Sequence, residues 1–226
     1  MKQCFANADL EIGVDEAGRG PLLGRVYAGA VIWGSNTTGS KSTDSKSTDS
    51  NTTESNTTDY DLIIDSKKLT AKKRAKALEW IYKNVKAWGV GWADPSEIDQ
   101  INILEATKKA MDRAIENLKS KLNIDSNQIT LLIDGTGWEK KFNEYNVKSI
   151  IKGDSTYLSI AAASIIAKEH HDKYINDLCN EFQDLDEKYD LKNNMGYGTK
   201  KHLDGILSHG NSQFHRKTFK PCSNYN

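Results

Sequence analysis

Residues 9–33, DLEIGVDEAGRGPLLGRVYAGAVIW, limit the fold more than any other stretch. Two β-rich runs, 9–16 and 25–33, flank a glycine-rich turn, which predicts a hairpin and antiparallel pairing in the sheet that contains it. Further along, strand and helix patterns alternate. Residues 71–84 repeat apolar side chains at helical spacing (Ala75, Leu78, Ile81, Tyr82), and 85–93 alternates like a strand. Pro95 and Ser96 open a helix to about Leu118, with Ile98, Ile101, Leu104, Met111, Ile115 and Leu118 as its apolar stripe. ITLLIDG (129–135) reads as a buried strand and VKSIIKGD (147–154) as another. Helices follow at 159–183, Ala-rich at its start, and at about 200–209. Strands mixed with helices predict an α/β architecture, with helices on both faces of one sheet.

One tract stands apart. In residues 34–59, 18 of 26 are Ser, Thr or Asn and none is a large apolar residue. Such a stretch buries too little surface to offset its ordering entropy, so it is expected to be a disordered loop. Closure entropy grows only logarithmically with loop length, so the tract is expected to be an excursion within one domain spanning 1–226. No run of apolar residues is long enough to cross a membrane, and the N-terminus lacks an apolar signal region, so a cytoplasmic protein is expected. Cys4, Cys179 and Cys222 are too few and scattered for a disulfide framework or a zinc site.

Net charge is zero, with 31 basic and 31 acidic residues, which excludes a wholly basic nucleic-acid binder but not local basic faces. Residues 65–76 (Lys67, Lys68, Lys72, Lys73, Arg74, Lys76) and 192–220 (Lys192, Lys200, Lys201, Arg216, Lys217, Lys220) form two such segments. Both hold turn motifs suited to phosphate contacts. Four acids fall at apolar strand ends: Asp15 and Glu16 after LEIGV, Asp134 after LLI, Asp154 after IIKG. Each alone is an ordinary turn or cap residue. Together, at the strand ends of an α/β sheet, they would repel one another unless a cation neutralised them. Hard oxygen ligands of this kind suit Mg2+ or Mn2+. Adjacent Asp15 and Glu16 would point to opposite faces of a regular strand, so both reach one site only if the strand ends or bulges there. The loop AGRGPLLGR (17–25) is not a dinucleotide fingerprint, because its third glycine comes one residue late and a strand rather than a helix follows.

The motifs GVDEAGRGPLLGRVYAGAV, DSKKLTAKKR, NILEATKKAMDRAI, LLIDG, KGDSTYLSIAAASIIAKEHHD and GYGTKKHLDGILSHGNSQFHRKTF, in this order, resemble those of ribonuclease HII across nearly the whole chain outside 34–59. The resemblance implies a ribonuclease H-like fold, a mixed β-sheet flanked by helices with a small helical C-terminal part. It implies an endonuclease that cleaves RNA in RNA–DNA hybrids and cuts 5′ of ribonucleotides embedded in duplex DNA, using two Mg2+ or Mn2+ ions. The family's metal-binding acids fall on Asp15, Glu16, Asp134 and Asp154. Its Gly-Arg-Gly falls on Gly18, Arg19 and Gly20, which would read the 2′-hydroxyl. Its substrate-sensing tyrosine falls on Tyr197, and the lysine of its DSK motif, near a phosphate, on Lys67.

Departures are few: His171 stands where the family often has Arg, and Asn211 where it often has Pro. Only 14 residues precede Asp15, so the extra N-terminal domain of ribonuclease HIII is not expected. No protein partner is evident, no sliding-clamp peptide shows in the tail, and a monomer suffices. His202 and His215 are expected to be structural or phosphate-neighbouring. Trp80, Trp88 and Trp92 are expected to pack a core. A hybrid-binding protein without catalysis is the alternative, distinguished by releasing no fragments.

Overall fold

The computed structural model describes residues 1–5, 10–34, 59–122 and 129–225. Most of the Ser/Thr/Asn tract therefore lies outside the described residues. Five strands form one mixed sheet in the order β3-β2-β1-β4-β5. They are β1 (Glu11–Ala17), β2 (Val26–Ile32), β3 (Ala87–Ala93), β4 (Thr130–Asp134) and β5 (Asn146–Ile150). The expected hairpin is there: β1 pairs antiparallel with β2, and β2 with β3, whereas β1–β4 and β4–β5 are parallel. The helices are α1 (Ala71–Asn84), α2 (Pro95–Lys119), α3 (Leu158–Glu181), α4 (Gln183–Tyr189), α5 (Leu191–Asn194) and α6 (Lys200–His209).

Strand alternation sorts the core into two layers. Ile12, Val14, Ala28 and Ala30 face α2, where Ala106, Ala110, Met111, Ile115 and Leu118 meet them. Fully burying an Ile or Leu side chain contributes about 1.5–3 kcal/mol, so this face supplies much of the cohesion. On the other face Val31 packs with α1 and the Ala-rich start of α3. Here Gly13 and Gly29 let the α3 backbone approach so closely that a Cβ on either would lie 2.3 Å from a backbone atom of α3. A third cluster joins Leu22 and Leu23 to Ile175, Leu185, Leu191 and Ile206, seating the small helical C-terminal part against the glycine-rich loop.

Several expectations need correction. β5 ends at Ile150, so Asp154 lies in a 3-10 turn, Gly153–Ser155, and not at a strand end. α2 is broken at Asn102, whose φ of 66° is non-helical; its side chain accepts from the Leu104 and Glu105 amides and restarts the helix. The restart shifts the helical phase, which leaves Leu104 exposed rather than in the stripe. On α1 the buried face is Arg74, Ala77 and Ile81, and Ala75 is exposed. Arg74 is not a surface cation: it pairs with Glu169 at 2.5 Å and Asp172 at 3.1 Å on α3. Trp80 stacks on Trp33 and Trp88 on Tyr82, as packing residues should, but Trp92 is exposed beneath the Arg25 guanidinium. No disulfide forms among the described residues, which include all three cysteines.

Candidate active site

The acids gather where β1 runs past the end of β4. Parallel pairing of β1 with β4 stops at Val14–Ile133, whereas β1 continues along β2 through Asp15–Gly29 and Glu16–Ala28 without a bulge. The irregularity expected in β1 is therefore absent; it is the end of β4 that opens the site. Asp15 shares the α3 face with Gly13 and is hydrogen-bonded by the Ser164 hydroxyl, which in turn lies 2.9 Å from the Ser66 hydroxyl. One oxygen of Asp15 also accepts from the Glu16 amide at 2.7 Å. Asp134 Oδ1 accepts from the Gly153 amide at 2.7 Å, which ties β4 to the turn carrying Asp154. Glu16 forms an ion pair with Arg19 at 3.1 Å, while its Oε2 is buried with no partner among the described residues.

Electrostatics shows the convergence more directly than contact does. Burial, then the charges of Glu16 and Asp134, push the Asp15 carboxyl well above the usual carboxylate range. Burial raises Glu16 too, against the pull of Arg19, with Asp134 adding to the rise and Lys67 opposing it. Asp154 is raised by burial, then by Asp134 and Asp65, and is lowered by Lys67. Four predicted acids and Lys67 thus share one field. Asp65, of the same DSK motif, is a fifth carboxylate that the sequence reading missed; the DSK triplet was its signal.

As they stand, no three His, Cys, Asp or Glu side chains among the described residues are arranged to hold one ion jointly. The carboxylates instead lean on protein donors. The donor set nonetheless fits a hard divalent cation: all oxygen, buried at Asp15 and Asp154 and half-buried at Glu16 and Asp134, mutually repelling, with one orphaned carboxylate oxygen at Glu16. A cation would offset the burial and the carboxylate repulsion that together raise Asp15, Glu16 and Asp154.

Beside the acids lies the 18–20 loop. Gly18 has φ 85°, a conformation open to glycine, and sits directly on His171, since a Cβ there would fall 2.4 Å from the imidazole Cδ2. Gly20 faces Tyr197, whose ring edge would be 3.3 Å from a Cβ at that position. Tyr197 is 43% exposed beside the loop. Arg216, counted with the basic surface in the sequence reading, is wholly buried behind this loop.

His202 and His215 are structural, a buried pair with Nε2 atoms 3.0 Å apart, packed by Tyr189. Burial, then the nearby His202, pushes His215 down to about 3. A histidine in the unfolded chain titrates near 6.5, so as pH falls the unfolded state takes up the proton first. The stability contributed by the neutral ring is complete above about pH 6.5 and is lost on descent toward pH 3, at ~1.4 kcal/mol per unit. At pH 5 the loss is about 2 kcal/mol, or roughly 4–8 °C in Tm for a chain of this size. Melts at pH 7.5, 6 and 5 should therefore fall more steeply for the wild type than for His215→Gln. Parallel slopes would show that the pair is not the cause.

The family model for ribonuclease HII matches residues 58–222. A ribonuclease HII from Bacteroides fragilis is 42% identical over 210 residues, covering 93% of this chain and 89% of that one. The crystal structure of the ribonuclease H2 from Pyrococcus horikoshii superposes with TM-score 0.65 at 24% identity, over 95% of this chain and 96% of that one. A Bst ribonuclease HIII in complex with Mn2+ superposes with TM-score 0.61 at 16% identity, over 90% of this chain and 71% of that one. These likenesses establish a ribonuclease H-like α/β fold, a mixed sheet flanked by helices.

Proposed function

The chain belongs to the ribonuclease HII family, a ribonuclease H that cleaves RNA in RNA–DNA hybrids, and we propose that it also cuts 5′ of single ribonucleotides embedded in duplex DNA. The products are a 3′-hydroxyl and a 5′-phosphate. The observation that carries this reading is one electrostatic site holding Asp15, Glu16, Asp134 and Asp154, with Lys67 in its field and the 18–20 loop and Tyr197 alongside.

Asp15, Glu16, Asp134 and Asp154 would hold two divalent ions, Mg2+ or Mn2+, which when bound supply an activated water and charge stabilisation at the departing 3′ oxygen. Asp15 is oriented for this by Ser164, and Asp134 by the Gly153 amide. Arg19 holds Glu16 at the mouth of the site. The backbone of Gly18–Gly20 lies against the ribose, its two glycines admitting the close packing of His171 and Tyr197 around the loop, and the 2′-hydroxyl is what distinguishes RNA from DNA there. Tyr197 stacks on the neighbouring sugar. Lys67 contacts a phosphate and positions the duplex without reading sequence. The chain works as a single domain and as a monomer in the cytoplasm, and the 34–59 tract is dispensable. No helix among the described residues is long and apolar enough to cross a membrane.

The test is a duplex of DNA carrying one ribonucleotide, incubated in Mg2+ or Mn2+ and sized. A single cut on the 5′ side, absent from all-DNA duplex and retained when residues 35–58 are deleted, is the expected result. Cutting of a long hybrid alone would keep the four acids and remove Gly18, Arg19, Gly20 and Tyr197 as junction readers.

A further inference from the structure

Two adjacent residues, His215 and Arg216, reach in different directions and end on the two parts of the proposed junction reader. Arg216 is fully buried, and among the described residues no carboxylate pairs with it. Its guanidinium donates instead to four carbonyls of one loop. Nε donates to Gly24 at 2.9 Å and one terminal nitrogen to Arg19 at 2.9 Å; the other donates to Gly18 at 2.6 Å and Arg25 at 3.1 Å. Phe219 covers the cation with its ring centroid at 5.1 Å. A buried charge is costly unless fully hydrogen-bonded, and only a planar fork of N–H groups fits four carbonyls arranged in this way.

His215 points toward the other part. The Ser212 amide donates to His215 Nδ1 at 2.9 Å and has no acceptor role to offer; the Ser212 hydroxyl, also 2.9 Å from Nδ1, is then left to donate to the same atom. The Nδ1 atom therefore carries no proton, and the neutral ring has its hydrogen on Nε2. That hydrogen faces His202 Nε2 at 3.0 Å, which must accept it. His202 then carries its proton on Nδ1, 3.0 Å from the carbonyl oxygen of Tyr197. Every donor in this chain has one acceptor, so the tautomers are determined by the Ser212 amide at one end and Tyr197 at the other. The backbone joins the two arms as well: Arg216 N–H donates to Leu22 O at 2.8 Å, and Leu22 N–H to Gly196 O at 2.8 Å.

We propose that His215, through His202, and Arg216 form one positioning brace that sets the distance between the Gly18–Gly20 loop and Tyr197, and so the selectivity for a ribonucleotide junction. The proposal rests on the reading of Gly18–Gly20 and Tyr197 as contacts to the junction. Neither histidine nor Arg216 touches substrate; each acts through the backbone it holds.

The experiment measures kcat and KM on a single-ribonucleotide duplex and on a long hybrid, with a thermal melt of each variant. Arg216→Lys keeps the charge but loses the fork, and should lower kcat on the single ribonucleotide by about 30-fold, with KM changed less than about threefold. The long hybrid, which offers many 2′-hydroxyls, should suffer less. His202→Leu should cost about tenfold, and His202→Asn, whose amide nitrogen sits near the place of Nδ1, should recover most of it. In a Tyr197→Ala background, His202→Leu should cost nothing more, because its effect passes through Tyr197. Folded Arg216→Lys and His202→Leu with wild-type kcat and substrate preference, beside an impaired Tyr197→Ala, would overturn the brace alone. Wild-type cutting by Tyr197→Ala would overturn the junction reading, and the brace with it. If one of the two variants does not melt cooperatively, the other decides; if neither does, the claim of a local positioning device fails.

Discussion

Asp134→Asn should reduce cleavage on the order of 10³-fold or more in Mg2+, because in the proposed site it takes away one ligand and its charge, and with them several kcal/mol of stabilisation at the reacting phosphate. The fold should survive. Asp134 Oδ1 serves structurally as an acceptor for the Gly153 amide, and an asparagine carbonyl can take that role. The metal-free variant should melt no lower than wild type, since the Asp134 charge repels Asp15, Glu16 and Asp154 alike. Divalent ions should raise the wild-type Tm by mass action on the native state and raise that of the variant much less. Asp154→Asn should behave similarly. Single-turnover rates and melts with and without Mg2+ are the measurements, and a variant retaining a tenth of wild-type cleavage would remove Asp134 from the metal site.

The four acids were legible because each follows an apolar strand run or its turn, and the strand pattern survives in the structure at every one of β1 to β5. What stayed hidden depends on contacts between distant parts of the chain. Arg74 and Arg216 read as surface charge within their own segments. Their burial is decided by Glu169 and Asp172, about a hundred residues away, and by carbonyls at 18–25, nearly two hundred away. A charge count along the sequence cannot distinguish a cation that faces a phosphate from one that braces a loop. Asn102 was invisible for another reason: apolar periodicity continues across the break, and only a positive φ with a side-chain cap reveals the restart. The problem of Glu16 lying on the opposite face from Asp15 is resolved by the early end of β4, a property of a neighbouring strand rather than of β1.

Gly29→Ala should be among the most destabilising single-methyl additions in the chain, and it should also damage the site. Gly29 pairs with Asp15 in the β1–β2 ladder and lies under α3. An added Cβ would sit 2.3 Å from the Ala163 carbonyl oxygen, 3.0 Å from its carbon and 3.1 Å from its Cα. All three are backbone atoms of a helix, so no side chain can rotate away and α3 itself must shift. Overpacking of this kind costs about 3 kcal/mol, which for a chain of this size lowers Tm by roughly 6–12 °C. The shift also reaches Asp15, because Ser164 follows Ala163 directly and its hydroxyl orients that carboxylate. A misplacement near 1 Å can cost ~10²-fold in rate, so cleavage at temperatures where the variant is still folded should drop between tenfold and that figure. Gly137→Ala is the control: its Cβ would meet nothing within 4 Å, so only the left-handed φ of 81° is penalised, at about 1–2 kcal/mol. If Gly29→Ala melts within 2 °C of wild type (under ~1 kcal/mol), the close seating of α3 on β2 is wrong, and with it the packing that sets Ser164 against Asp15.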